Sequence, residues 1–143
     1  MSGGRILLVE DDDIERELTL SALAEAHLMN PVVTAQDGAE ALDYLLRQGC
    51  HAGRGDGDPI LVLLDLRLPK VDGLEVLAAI RANPGLRRLP VVIQTSSNDE
   101  RDLATCRALA AEAYVSKPVD FDKLFAAVRP LRLGWVLVKE AHD

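Results

Sequence analysis

Aromatic residues and cysteines are scarce in this chain of 143 residues. Aromatic residues make up 3% of it, and only two positions are cysteines. Base-stacking surfaces need aromatic rings, and a net charge of −7 repels phosphate backbones, so the composition argues against nucleic-acid binding. Cys50 and Cys106 match no metal-binding or redox spacing. We therefore expect two free thiols in a reducing cytoplasm.

Long apolar runs and phosphate-binding loops are also missing. The longest apolar runs, such as Ile60–Leu64, are far shorter than the roughly 20 residues of a membrane span. Met1–Arg5 passes directly into a strand-like run, which leaves no room for a secretory signal, so we expect a cytoplasmic protein without membrane contact. No glycine-rich nucleotide motif follows any apolar run, and the acidic turn after Val9 would reject a nucleotide phosphate. Nucleotide and flavin binding are thus disfavoured.

The chain instead contains a regular alternation of two kinds of segment. Strand-like runs occupy Arg5–Val9, Pro31–Ala35, Ile60–Leu64, Val91–Gln94 and Ala113–Ser116. Helical patterns lie between and after them, at about 13–28, 38–48, 73–82, 98–111 and 120–129. This alternation predicts an α/β domain with a doubly wound, five-stranded parallel sheet of order 2-1-3-4-5.

Most of the predicted helices begin at a capping signature. An acidic or hydroxyl residue stands three positions before a glutamate in four cases, at Asp12–Glu15, Asp37–Glu40, Asp72–Glu75 and Ser97–Glu100. Asp120 reads as a plain N-cap of the last helix.

Polar groups follow the strands at the edge where this fold binds ligands. Glu10 and Asp11 follow the first strand, Asp65 the third, Thr95 the fourth and Lys117 the fifth. Converging carboxylates repel one another, so a raised pKa, the lysine or a hard cation such as Mg²⁺ must offset the repulsion. A carboxylate there can attack a phosphoryl group, with Mg²⁺, Lys117 and Thr95 binding the phosphoryl oxygens.

Four segments of the sequence resemble the receiver domain of two-component response regulators. They are ILLVEDDD (6–13), LVLLDLRLPKVDGLEVL (61–77), VVIQTSS (91–97) and AYVSKPVDFDKL (113–124), and the resemblance covers about residues 4–130. It implies the flavodoxin-like (βα)5 receiver fold and a signalling phosphoacceptor, not an enzyme, although the domain would catalyse its own phosphorylation and dephosphorylation.

The resemblance also implies a role for each matching residue. Asp65 would accept the phosphoryl group from a histidine kinase, and Lys117 would pair with that group. Asp65, Asp11, Glu10 (through water) and the backbone carbonyl of Arg67 would hold Mg²⁺. Thr95 and Tyr114 would be switch residues, and Pro118 would follow a cis peptide bond.

Within this family, the sequence most resembles the single-domain regulators that serve phytochrome-type sensor kinases and often dimerise. We therefore expect a receiver domain over 1–130, a short apolar extension over 131–143 and no output domain. That extension either folds back on its own domain or lies across a homodimer interface within about 98–138. The signal would pass to a downstream protein or phosphotransfer partner, and the sequence leaves open whether this domain is an output or a phosphate sink.

Two departures from the family pattern stand out. Ala110, Ala111 and Glu112 replace a usual glycine–alanine step, which predicts a poorer left-handed cap on the fourth helix. Arg67 stands two positions after Asp65, where a dehalogenase-type phosphatase, the alternative enzyme hypothesis, would carry a second aspartate. A phosphorylation-independent interaction domain is the third hypothesis, and the full set of Asp11, Asp65, Thr95 and Lys117 argues against it.

Overall fold

A computed structural model of the chain describes residues 5–25, 30–53, 57–95, 100–111, 113–117 and 121–128. Within these ranges five strands alternate with five α-helices. The strands are β1 (Ile6–Val9), β2 (Val32–Ala35), β3 (Leu61–Asp65), β4 (Val91–Thr95) and β5 (Ala113–Ser116). The helices are α1 (Asp13–Glu25), α2 (Gly38–Leu46), α3 (Gly73–Ala82), α4 (Glu100–Ala108) and α5 (Phe121–Val128), with a short 3₁₀ helix at Gly49–His51. The predicted alternation is confirmed.

The sheet has the predicted order β2-β1-β3-β4-β5, and every neighbouring pair is parallel. Its register aligns the strand ends: Val9 pairs with Leu64, Asp65 with Gln94, and Thr95 with Ser116. Residues that end these strands therefore lie side by side at one edge of the sheet.

Apolar side chains cover both faces of the sheet, which explains the nearly continuous hydrophobic strands. Successive strand residues point to opposite faces. Leu7 and Leu64 pack with the α2–α3–α4 side, for instance against Leu77. Leu8 and Leu63 pack on the other face with Leu23 of α1 and Leu124 of α5.

Two of the predicted helix caps form and one does not. Asp12 accepts a hydrogen bond from the Glu15 N–H (2.9 Å), and Asp37 accepts one from the Glu40 N–H (2.7 Å). The Asp72 side chain makes no capping bond, so that prediction is wrong. Asp72 still stands at the N-cap position of α3, and the Gly73 N–H donates to the Leu66 carbonyl (3.0 Å), which docks the start of α3 on the chain after β3. Ser97 and Asp120 lie outside the described residues.

The expectation of a poor left-handed cap at the C-terminal end of α4 is wrong, because the cap forms there. Ala110 adopts a φ of 57°, and the Ala111 N–H donates to the Cys106 carbonyl (3.0 Å), as in a glycine-capped helix. Arg81 of α3 stabilises this turn by donating to the carbonyls of Leu109 (3.0 Å) and Ala110 (2.8 Å). A tertiary contact thus offsets the conformational cost of a non-glycine residue in this region.

Both cysteines are free thiols, as predicted; Cys50 is exposed and Cys106 is buried. No helix among the described residues is long and apolar enough to cross a membrane.

Candidate functional site

One lysine and three carboxylates meet at the carboxyl edge of the sheet. The Lys117 ammonium lies 2.7 Å from Glu10 Oε1, 2.7 Å from Asp65 Oδ2 and 2.5 Å from Glu15 Oε2. Glu10 directly follows β1, Asp65 ends β3, and Lys117 directly follows β5. The structure therefore brings together three of the predicted site residues, with Glu15 of α1 added.

Backbone hydrogen bonds fix the two buried carboxylates. The Glu10 N–H donates to the Ala35 carbonyl (3.0 Å), and Glu10 Oε2 accepts from the Asp12 N–H (3.2 Å). Asp65 Oδ1 accepts from the Arg67 N–H (3.2 Å), which leaves Oδ2 for the lysine. Glu10 is 1% exposed and Asp65 5%. Both carboxylates are held in place before any partner arrives.

Burial and ion pairing together set the protonation of this cluster. Burial raises the pKa of Glu10 to about 7, against the lowering effect of Lys117 and with a further rise from the nearby Asp65 charge. Burial alone would lower the pKa of Lys117, but hydrogen bonds to Asp65, Glu10 and Glu15 outweigh it and raise that pKa. The lysine therefore stays charged at neutral pH, while Glu10 titrates there.

This raised pKa predicts a pH-dependent stability. Between pH 4.5 and about 7 the folded protein keeps the Glu10 proton that the unfolded chain releases, so the stability contributed by Glu10 falls across that window. We expect the metal-free wild type to lose on the order of 3 kcal/mol relative to Glu10→Gln over this range. Urea denaturation of both proteins in EDTA at several pH values measures the difference. A pH-independent difference would contradict the prediction.

The same oxygens form a donor set for a cation. One carboxylate oxygen each from Glu10, Glu15 and Asp65 lies within 4.8 Å of the others. With one ammonium beside them, the fully ionised group carries a net charge of −2. All-oxygen ligands of this charge suit a hard divalent cation. Asp11, by contrast, is exposed and is not a member of this group.

Glu15 was not predicted as a site residue, because its position three after Asp12 is fully explained by helix capping. A second signal was present in the sequence pattern. Helix side chains tilt toward the N-terminus, and α1 begins directly at the ligand-binding edge, so a first-turn glutamate can reach back over the sheet.

The predicted switch residues lie on β4, which pairs with β3, and on β5, which precedes Lys117. Thr95 ends β4, is buried, and accepts a backbone hydrogen bond from the Lys117 N–H at its carbonyl (3.1 Å). The Tyr114 ring is partly buried, and its hydroxyl lies 3.5 Å from the Leu103 carbonyl of α4. The Arg67 side chain turns away from Asp65 and forms an ion pair with Asp102 of α4. Pro118 and residues 129–143 lie outside the described residues, so the cis peptide bond and the interface within 98–138 stay predictions.

Comparison with known proteins agrees with this architecture. The family model described as the response regulator receiver domain matches residues 6–129. A probable methanogenesis regulatory protein, FilR2 of Methanothrix harundinacea, is 40% identical over 133 residues, covering 91% of this chain and 84% of that protein. The response regulator Rcp1 of Synechocystis sp. is 37% identical over 131 residues, covering 92% and 88%.

Solved structures show the same likeness. The bacteriophytochrome response regulator AtBRR is 49% identical with a TM-score of 0.88, over 98% of this chain and 100% of that one. The Mn²⁺-bound form of Rcp1 is 35% identical with a TM-score of 0.75, over 96% and 99%.

Proposed function

The chain belongs to the response regulator receiver domain family of two-component signalling, and from this premise we propose that Asp65 accepts a phosphoryl group from a histidine kinase in a Mg²⁺-dependent reaction. The observation that carries the proposal is the Lys117 ammonium placed 2.7 Å from an Asp65 oxygen at the carboxyl edge of the sheet. The acceptor and a cation for the transferred group are thus already in contact.

The transfer is a simple displacement at phosphorus. An Asp65 carboxylate oxygen attacks the phosphorus of phosphohistidine or acetyl phosphate, the new O–P bond forms, and the bond to imidazole or acetate breaks. Lys117 already lies beside the acceptor, so its ammonium can pair with the oxygens of the transferred phosphoryl group. Thr95, at the end of the neighbouring strand, is the hydroxyl that would bind a further phosphoryl oxygen.

The acidic donor set fits a divalent cation. Glu10 and Asp65, with Asp11 and the Arg67 carbonyl in the roles the family implies, would hold Mg²⁺, and Glu15 adds a carboxylate to that set. The ion would neutralise charge on the transferring phosphoryl group. Glu10, with its pKa near 7, must release its proton before it can serve such a cation.

Acetyl phosphate with Mg²⁺, followed by intact mass measurement, tests the acceptor. The wild type is expected to gain one phosphoryl mass, and Asp65→Asn is expected to gain none. The matched control is Asp58→Asn, an aspartate at the opposite edge of the sheet. Uptake by Asp65→Asn, or none by the wild type with any phosphodonor, would overturn the proposal and favour a phosphorylation-independent interaction domain.

The residue two positions after Asp65 favours an acceptor over a phosphatase. A phosphatase of the dehalogenase type needs a general acid there to release its product. The residue in this chain is Arg67, whose guanidinium cannot act as that acid and is paired with Asp102. Phosphoryl transfer therefore serves signalling rather than turnover.

We further propose that a phytochrome-type histidine kinase docks on α1. Ile14 and Leu18 are 73% and 55% exposed, and they lie one turn apart on the helix that carries Glu15. They line a shallow depression of about 360 Å³. An apolar partner helix seated on this patch would bring its phosphohistidine close to Asp65.

Charged substitutions at Ile14 and Leu18 are expected to slow phosphoryl transfer from the kinase while leaving uptake from acetyl phosphate unchanged. Ile14→Glu or Leu18→Glu should slow transfer from a phytochrome-type kinase by about tenfold, as for the loss of an apolar interface anchor. Uptake from acetyl phosphate should stay at the wild-type rate, because a small phosphodonor needs no docking surface on α1. Glu75→Gln, an exposed position on α3 at the other face of the sheet, is the control. Equal slowing with both donors, or normal transfer from the kinase, would contradict this docking site.

A further inference from the structure

Two arginines hold the two ends of α4 in different ways. Arg81 donates to carbonyls at the C-terminal end of α4, at Leu109 and Ala110, and also to the Leu89 carbonyl (2.7 Å). These bonds tie that end to α3 and to the turn before β4. At the other end an ion pair joins Arg67 to Asp102 in the first turn of α4. The C-terminal end is thus anchored to α3 and to the turn before β4, and the N-terminal end is joined to the acceptor segment by the Arg67–Asp102 pair.

The N-terminal ion pair involves a residue that also contacts the acceptor. The Arg67 N–H donates to Asp65 Oδ1 (3.2 Å), while its guanidinium reaches Asp102. The Arg67 side chain is 62% exposed, so little packing restrains it beyond the ion pair, whereas Asp102 is 13% exposed. An arginine side chain two residues from Asp65 is long enough to contact a group added to that carboxylate.

We propose that Arg67 is a positioning residue that exchanges Asp102 for the phosphoryl group on Asp65, and so releases the N-terminal end of α4. This inference rests on the proposed function. A dianionic phosphoryl group attracts a guanidinium more strongly than one carboxylate does, because it offers more charge and three acceptor oxygens. When Arg67 turns toward it, Asp102 loses its partner and α4 pivots about the end that Arg81 holds.

The exchange predicts opposite effects from the two members of one ion pair. Asp102→Asn frees Arg67 for the phosphoryl group, so binding of beryllofluoride with Mg²⁺, a phosphoryl mimic, should tighten about threefold. Arg67→Met removes the residue that receives the phosphoryl group, so the same binding should weaken by about the same factor. An ion pair that only stabilised the fold would move both variants in the same direction.

Hydrogen exchange provides the second readout. Beryllofluoride with Mg²⁺ should raise amide exchange across 100–108 in the wild type, and Asp102→Asn should show raised exchange without it. Exchange near Ala110 should stay low in both, because Arg81 is untouched. Asp58→Asn, which breaks the distant Arg47–Asp58 pair, is the control and should match the wild type.

The outcomes separate the two proposals. If acetyl phosphate adds no phosphoryl mass to the wild type, the proposed function fails. If Asp65 is phosphorylated but the two variants shift beryllofluoride binding in the same direction, or leave it unchanged, the Arg67 exchange is overturned and the proposed function stands.

Discussion

Replacing Lys117 with methionine is expected to slow phosphoryl uptake from acetyl phosphate by roughly a hundredfold, the size seen when one preorganised donor to a reacting oxygen is lost. The ammonium lies 2.7 Å from Asp65 Oδ2, and its side chain is only 11% exposed, so solvent cannot take its place. Intact mass against time measures the rate. Lys70→Met is the control, since that lysine is 71% exposed and pairs only loosely with Asp37, at 3.5 Å.

The same substitution should change stability in a way that reports on the cluster. Without Lys117, the buried carboxylates of Glu10 and Asp65 face each other unpaired, so the metal-free variant should lose about 3 kcal/mol of unfolding free energy at about pH 8. The loss should shrink toward about pH 5 as Glu10 takes up a proton, and added MgCl₂ should stabilise the variant more than the wild type. If MgCl₂ stabilises both equally, the ammonium and the cation do not share these carboxylates.

The fold was predictable because local patterns and the tertiary structure agree. The run Ile6–Val9 is apolar at every position because helices cover both faces of β1, and its order in the sheet follows from the βα alternation. The contact of Glu10, Asp65 and Lys117 was predictable for a similar reason: parallel strands bring their carboxyl ends to one edge. These are regularities that a single sequence carries.

Other features depend on contacts that no local pattern encodes. Arg67 and Asp102 are separated by 35 positions, and no pattern in the sequence links the two side chains. The left-handed turn at Ala110 was predicted to be poor on local propensity, and Arg81, on a different helix, reverses that outcome. Tertiary partners thus decide both ends of α4, the element on which the proposed switch depends.

Gly73→Ala is expected to damage both the fold and the acceptor. A Cβ at this position would lie 2.2 Å from the Asp65 carbonyl oxygen, 2.7 Å from Leu66 Cα and 2.8 Å from the Leu66 carbonyl oxygen. All three atoms belong to the backbone of the acceptor segment, so no side-chain rotation relieves the overlap. Either α3 or the end of β3 must move, and we expect a loss of about 3 kcal/mol or more, which is a fall in Tm of roughly 6–12 °C for a domain of this size.

The matched control for this substitution is Gly53→Ala. Apart from its chain neighbours, no atom of the residues that the structure describes lies within 4 Å of the Cβ that this change adds, so its Tm should stay near or slightly above the wild-type value. The folded fraction of Gly73→Ala should also take up phosphoryl groups more slowly, because the displaced backbone carries Asp65 away from Lys117. A Tm within about 2 °C of wild type, a change of roughly 1 kcal/mol or less, would contradict the close approach of α3 to the acceptor. If the Tm falls but phosphoryl uptake stays normal, the close contact of α3 with the acceptor segment has a purely structural role. The two measurements together therefore tell whether α3 also positions Asp65.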